Sequence, residues 1–180
     1  SSHWFTRFVA AATFCATRLQ HLPRSPFQQF PTGHPSVGIA MARKRALVGE
    51  FVGTFLLMFT VGCNVLSGTA AAGSSIGFSL MVGIYALAKV SGANFNPAVS
   101  FTLGLVGKLP WADVLLYSLV QTLAGALAGI LARAIFKSSE FALALGPADG
   151  FEWWQAGVCE LVYTFMLCFV VLNTACAAAN

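Results

Sequence analysis

The stretch Ser91-Gly92-Ala93-Asn94-Phe95-Asn96-Pro97-Ala98-Val99-Ser100 sets a polar turn between long apolar segments, and few folds accept that arrangement. Asn readily caps the free N–H groups that open a helix, and Pro suits the first helical position, where its missing N–H would have had no partner. A helix is therefore predicted to start at Pro97. The apolar residues after it run only to about Leu105, a length of roughly 15 Å, half the hydrocarbon thickness of a bilayer. The turn before Asn96 leaves carbonyls without helical partners. At membrane depth such backbone survives only where it is buried in protein or lines a water-filled cavity. The stretch thus reads as a pore-lining half-helix.

Composition places the rest of the chain in a membrane. With 57% hydrophobic and 9% charged residues, the chain is far more apolar than a soluble domain, where about a quarter of residues are charged. Four long apolar segments are expected to span: Ala46 to about Ser67, Ile76 to Val90, Ala112 to Ile135 and Trp153 to Asn173. The half-helix falls between the second and third. Gly107-Lys108-Leu109-Pro110 closes it with a turn, and a polar connection from Lys137 to Glu152 precedes the last span. Small residues such as Ala124-Gly125-Ala126 and Ala128-Gly129 suit close helix packing in lipid. The five cysteines, at 15, 63, 159, 168 and 176, show no metal-ligand spacing and read as small packing residues.

Residues 1–45 are different material, basic and without an acid before Glu50. They read as an N-terminal extension, disordered or not native, with a transit segment and a secretory signal as alternatives. Met41-Ala42-Arg43-Lys44-Arg45, followed by an apolar run, would make a natural start. Loop charges orient the bundle. Arg43, Lys44, Arg45, Lys89 and Lys108 fall on the side of the N-terminus, against Arg133 and Lys137 on the other, and five against two puts the N-terminus inside.

An internal repeat links the first span to the last. Glu50-Phe-Val-Gly-Thr54-Phe-Leu-Leu-Met-Phe59 and Glu160-Leu-Val-Tyr-Thr164-Phe-Met-Leu-Cys-Phe169 agree at six of ten positions, including the Glu and the Thr. The second copy lies three crossings on, so it enters the membrane inverted, as in transport proteins whose sites sit near the midplane. Carboxylates inside a membrane are costly and take partners. Glu50 and Glu160 either accept hydrogen bonds from re-entrant-loop N–H groups and brace them, or serve as proton-relay groups in a coupled transporter. Gln121 in the third span faces the same choice, and the bracing role is the reading adopted for all three.

The stretch from Ser91 to Val99, with Glu50 and Thr54, Gln121, and Glu160 and Thr164 around it, resembles the first Asn-Pro-Ala loop of the major intrinsic protein family, the aquaporins and aquaglyceroporins. The resemblance covers about residues 46–175. It implies an all-α membrane protein, a partial aquaporin-like right-handed bundle of four transmembrane helices and one re-entrant half-helix. Residues 46–136 would form the first repeat and 152–180 the start of the inverted second. It further implies a passive channel rather than an enzyme, embedded in the lipid bilayer, assembled as a homo-tetramer and passing water or small neutral solutes, with no cofactor, metal or nucleic-acid partner. By position, Asn96, Pro97 and Ala98 form the loop tip, and Asn96 donates its amide to the solute. Gly92, Ala93 and Asn94 supply acceptor carbonyls, Ile76 falls at the second-span position of the selectivity constriction, and Leu57 at a first-span lining position. An aliphatic Ile76 makes that constriction less polar, so the resemblance does not restrict passage to water. A complete member would carry a second Asn-Pro-Ala half-helix, and none is present in these 180 residues. The expectation is a truncated channel that does not conduct by itself. A non-conducting subunit that assembles with full-length channels is the alternative.

Overall fold

The computed structural model describes residues 37–136, 147 and 150–174. The described residues hold five helices: α1 Val37–Ser67, α2 Ala72–Ser91, α3 Pro97–Leu105, α4 Trp111–Phe136 and α5 Trp153–Thr174. All but α3 are long and apolar enough to cross a membrane. With nine residues, α3 measures about 14 Å and reaches only half way.

Helix α1 starts at Val37, nine residues ahead of the expected boundary at 46. Arg and Lys are good helix formers, so a basic run need not end a helix. At 31 residues α1 is about 46 Å long, which leaves its basic end beyond a hydrocarbon layer of about 30 Å. The readings given to residues 1–36, to Cys15 and Cys176, and to most of the connection between α4 and α5 lie outside the described residues. Helix α2 likewise starts at Ala72 rather than Ile76.

Packing follows the logic of helices in lipid, where small residues turn inward and large ones face the acyl chains. The buried positions of α4 are Val114, Tyr117, Gln121, Ala124, Ala128 and Ala132, spaced by three and four along one face. Its exposed positions include Leu115, Leu119, Leu123 and Leu127. Along this seam α4 lies against α1. The approach is tight enough that a methyl group on Gly62 would come within 2.8 Å of the Ala132 Cβ.

Helix α2 packs on the other flank of α1. Hydrogen bonds join the two, from Thr60 Oγ1 to Ser79 Oγ at 3.2 Å and from Asn64 Nδ2 to Ser75 Oγ at 3.0 Å. At the basic end, Arg43 Nε pairs with Asp113 Oδ1 at 2.7 Å, tying the starts of α1 and α4 to one membrane surface.

Helix α3 is wedged between α4 and α5. Val99 and Leu103 form its core with Cys168 of α5, and Leu167, Val171 and Leu172 close around them. Its far end is capped by the backbone alone. Gly107 takes φ +70°, which lets Gly107 N–H bond the Gly104 carbonyl and Lys108 N–H bond the Leu103 carbonyl, at 3.0 and 2.8 Å. That paired pattern stops a helix where a glycine enters the left-handed region.

Candidate channel-lining site

The site is built on the five residues that join α2 to α3. Helix α2 ends as Gly92 enters the left-handed region at φ +91°, and Ala93 and Phe95 follow at +52° and +51°. Residues with a side chain pay about 1–2 kcal/mol each to sit there, so the surroundings must hold the turn in place. They do so through a buried carboxylate and a buried ring.

The carboxylate is that of Glu50, fully buried on α1. Its Oε1 accepts Asn94 N–H at 3.0 Å, and its Oε2 accepts Phe95 N–H at 2.8 Å and the Gln121 amide at 2.8 Å. Three donors converge on it, the arrangement that suits an ionised group. Because Glu50 accepts, the Gln121 NH2 must face it, leaving Gln121 Oε1 toward the Ser100 hydroxyl at 3.4 Å. Ser100 also accepts from Asn94 Nδ2 at 3.2 Å, so one hydroxyl knits loop, α3 and α4 together. Two further bonds fix the entrance to the turn. Tyr117 Oη donates to the Ser91 carbonyl at 2.8 Å, and Ser91 Oγ accepts Ala93 N–H at 3.1 Å.

The ring is that of Phe95, 3% exposed. It lies between two glycines, Gly53 of α1 and Gly83 of α2. A methyl group on Gly53 would overlap the ring, and one on Gly83 would come within 3.0 Å of it. Ala88 and Ala93 complete the cluster, and Leu57 and Leu87 pack around it.

These bonds also fix the other face of the turn. In a planar trans peptide the carbonyl points opposite to the N–H that follows it. Since the N–H groups of Ala93, Asn94 and Phe95 turn toward Ser91 Oγ and Glu50, the carbonyls of Gly92, Ala93 and Asn94 point away from them. None of the three carbonyls accepts a hydrogen bond among the described residues.

Asn96 caps α3 as its sequence position predicts. Its Oδ1 accepts Ala98 N–H at 2.8 Å from an extended backbone, with Pro97 at the first helical position. With Oδ1 engaged, Nδ2 is left as a donor without a partner among the described residues. Asn96 and Ala98 are half-buried, and Pro97 and Gly92 are exposed.

The remaining expected site residues divide between this cluster and other parts of the bundle. Leu57 packs against the cluster around Phe95, whereas Ile76 sits half-buried near the start of α2, away from the Glu50 cluster. Glu160 differs from its repeat mate, lying exposed on α5 with no re-entrant turn beside it among the described residues. Sequence reasoning assigned no role to Phe95, Ser100, Tyr117, Gly53 or Gly83. Tyr117 and Gln121 stand four apart on a helix otherwise rich in leucine, a polar stripe that marks one inward face.

A half-length helix, capped by Asn-Pro and anchored through its preceding turn to a carboxylate buried in the first span, defines a multi-pass membrane protein with a re-entrant element. Comparison with known proteins gives that class a family. Residues 36–180 match the model of the major intrinsic protein family. The chain is 30% identical over 141 residues to a probable aquaporin, NIP7-1, of Arabidopsis thaliana, an alignment covering 73% of this chain and 50% of that protein. It is 32% identical over 161 residues to the aquaporin AqpM of Methanothermobacter thermautotrophicus, covering 71% and 64%. Against the probable aquaporin-3 of Gibberella zeae it is 37% identical over 149 residues, covering 72% and 51%. The chain belongs to the major intrinsic protein family, and it spans about half the length of the plant and fungal relatives it matches.

Proposed function

We propose that these residues form one wall of a passive channel for water and small neutral solutes. One observation carries the reading: three backbone carbonyls and Asn96 Nδ2 stand without partners among the described residues at the tip of a helix that reaches only half way through the membrane. Unpaired groups at that depth cost several kcal/mol each unless water meets them. Carbonyls of Gly92, Ala93 and Asn94 would accept hydrogen bonds from the permeating molecule, and Asn96 Nδ2 would donate one. The positive end of α3 opposes cations at the same point. No bond is made or broken, so no catalytic residue is called for.

The wall facing this tip would come from family sequence outside these 180 residues, and the assembled form is taken as a homo-tetramer. An exposed Glu160 also suits a second reading, a non-conducting subunit. A carboxylate exposed on an apolar span needs a partner, which a full-length channel subunit would supply.

Stopped-flow shrinkage of proteoliposomes tests the proposal. The 180-residue chain alone should stay at the lipid background. A chimera joining residues 36–174 to the second half of the Methanothermobacter aquaporin should shrink severalfold faster. Fast flux through the chain alone overturns the half-wall reading. A folded, membrane-inserted chimera at background overturns the channel reading. Co-purification of the chain with a full-length channel whose flux it lowers would support the subunit reading instead.

A further inference from the structure

Away from the loop, α1 and α2 flank an open groove of about 420 Å³ at the basic end of the bundle. Its walls include Val48 and Val52 of α1 and Val90 of α2. Its floor is Gly49, where the helices approach so closely that a methyl group would meet the Ser91 Cβ at 3.2 Å and Val90 at 3.4 Å. Lys44 and Arg45 line it through their aliphatic stems, for the lining is apolar throughout and both residues are exposed. Their charged heads therefore stand at the rim. Neither forms an ion pair among the described residues, whereas the neighbouring Arg43 is neutralised by Asp113. The groove runs from this rim toward the membrane interior, from Met41 to Val52 over about 16 Å of α1.

We propose that the groove binds an anionic phospholipid from the leaflet at the basic end, the phosphate held by Lys44 and Arg45 and one acyl chain laid against Val48, Gly49 and Val52. Two cations, unpaired among the described residues, at the bilayer surface above an open apolar groove match an amphiphile with a negative head. A second copy of the chain would meet the apolar walls but not the rim cations. Of the described acids, Glu50 is buried, Asp113 is paired, Glu152 lies at the opposite membrane surface and Glu160 lies within a span, so no free carboxylate reaches the rim from a parallel neighbour. The proposal does not depend on the chain conducting.

Native mass spectrometry of the detergent-purified 180-residue chain, titrated with phosphatidylglycerol or phosphatidylcholine of matched acyl chains, tests it. Phosphatidylglycerol should bind about tenfold more tightly, given the attraction of two cations near the surface. Lys44→Gln with Arg45→Gln should abolish that preference while phosphatidylcholine binding persists. Val48→Trp should fill the groove and weaken both lipids. Circular dichroism of each variant, with helicity unchanged, separates lost binding from lost fold. Equal affinity of the unaltered chain for the two lipids overturns the proposal. So does a preference that survives the double substitution, or a concentration-dependent dimer with no lipid preference.

Discussion

Replacing Glu50 by Gln keeps the shape of the side chain and removes one acceptor. One amide oxygen can still serve Phe95 N–H and Gln121, but the NH2 then faces Asn94 N–H, donor against donor. Losing one bond to a charged acceptor and leaving a buried N–H unmet costs about 2 kcal/mol, and weakening the two that remain adds about 1 kcal/mol. Relief of the buried charge offsets part of the loss, so about 3 kcal/mol is the upper end for Glu50→Gln, or roughly a hundredfold in the docking equilibrium of the turn. Glu50→Ala, which leaves three donors without an acceptor, should reach about 5 kcal/mol. Cys168 offers the readout, since it is buried against Val99 and Leu103 of α3. In a chain where Cys168 is the sole cysteine, labelling by a thiol-reactive fluorophore reports the opening of α3. The rate should rise by up to about a hundredfold in Glu50→Gln and further in Glu50→Ala. An unchanged rate in Glu50→Gln would refute the bracing argument, and pH-gradient-driven uptake lost in that variant would point to a proton relay instead.

Two other expectations concern parts of the same assembly. Gly53→Ala drives a methyl into the Phe95 ring, which Gly83 stops from sliding away, and should cost about 3 kcal/mol, with Phe95→Leu in the same chain recovering part of it in thermal unfolding. Tyr117→Phe strands the buried Ser91 carbonyl at the end of α2 and should lower stability by about 1–2 kcal/mol, read as faster labelling of the same Cys168.

The parts of this fold that follow from local chemistry were legible in the residues. Asn96-Pro97 announces a helix start because capping needs only near neighbours, and the short apolar run after it gives the length of α3. A Glu inside an apolar span demands donors, and a re-entrant turn has N–H groups to offer, so Glu50 and the turn could be matched on chemical grounds. What stayed hidden depends on pairs far apart in the chain. Gly53 and Gly83 clamp Phe95 from separate helices, and nothing in either local sequence marks them as facing each other. Ser100 looks like an ordinary small helix residue until Gln121 and Asn94 are brought to it. The basic run at Arg43, Lys44 and Arg45 does not mark the start of α1, because a helix continues past the lipid wherever its residues favour it.

A half-length helix that lines a channel must bring the tip of α3 into water in the middle of the membrane. Cysteine substitution at Asn96, in the chimera with the second half of the Methanothermobacter aquaporin and without native cysteines, tests this most directly when the membranes are treated with a water-soluble methanethiosulfonate. Modification of Asn96→Cys well above that of Leu119→Cys, which faces outward on α4, is the result predicted. Equal and negligible modification at the two positions would show the tip to be dry and contradict the account.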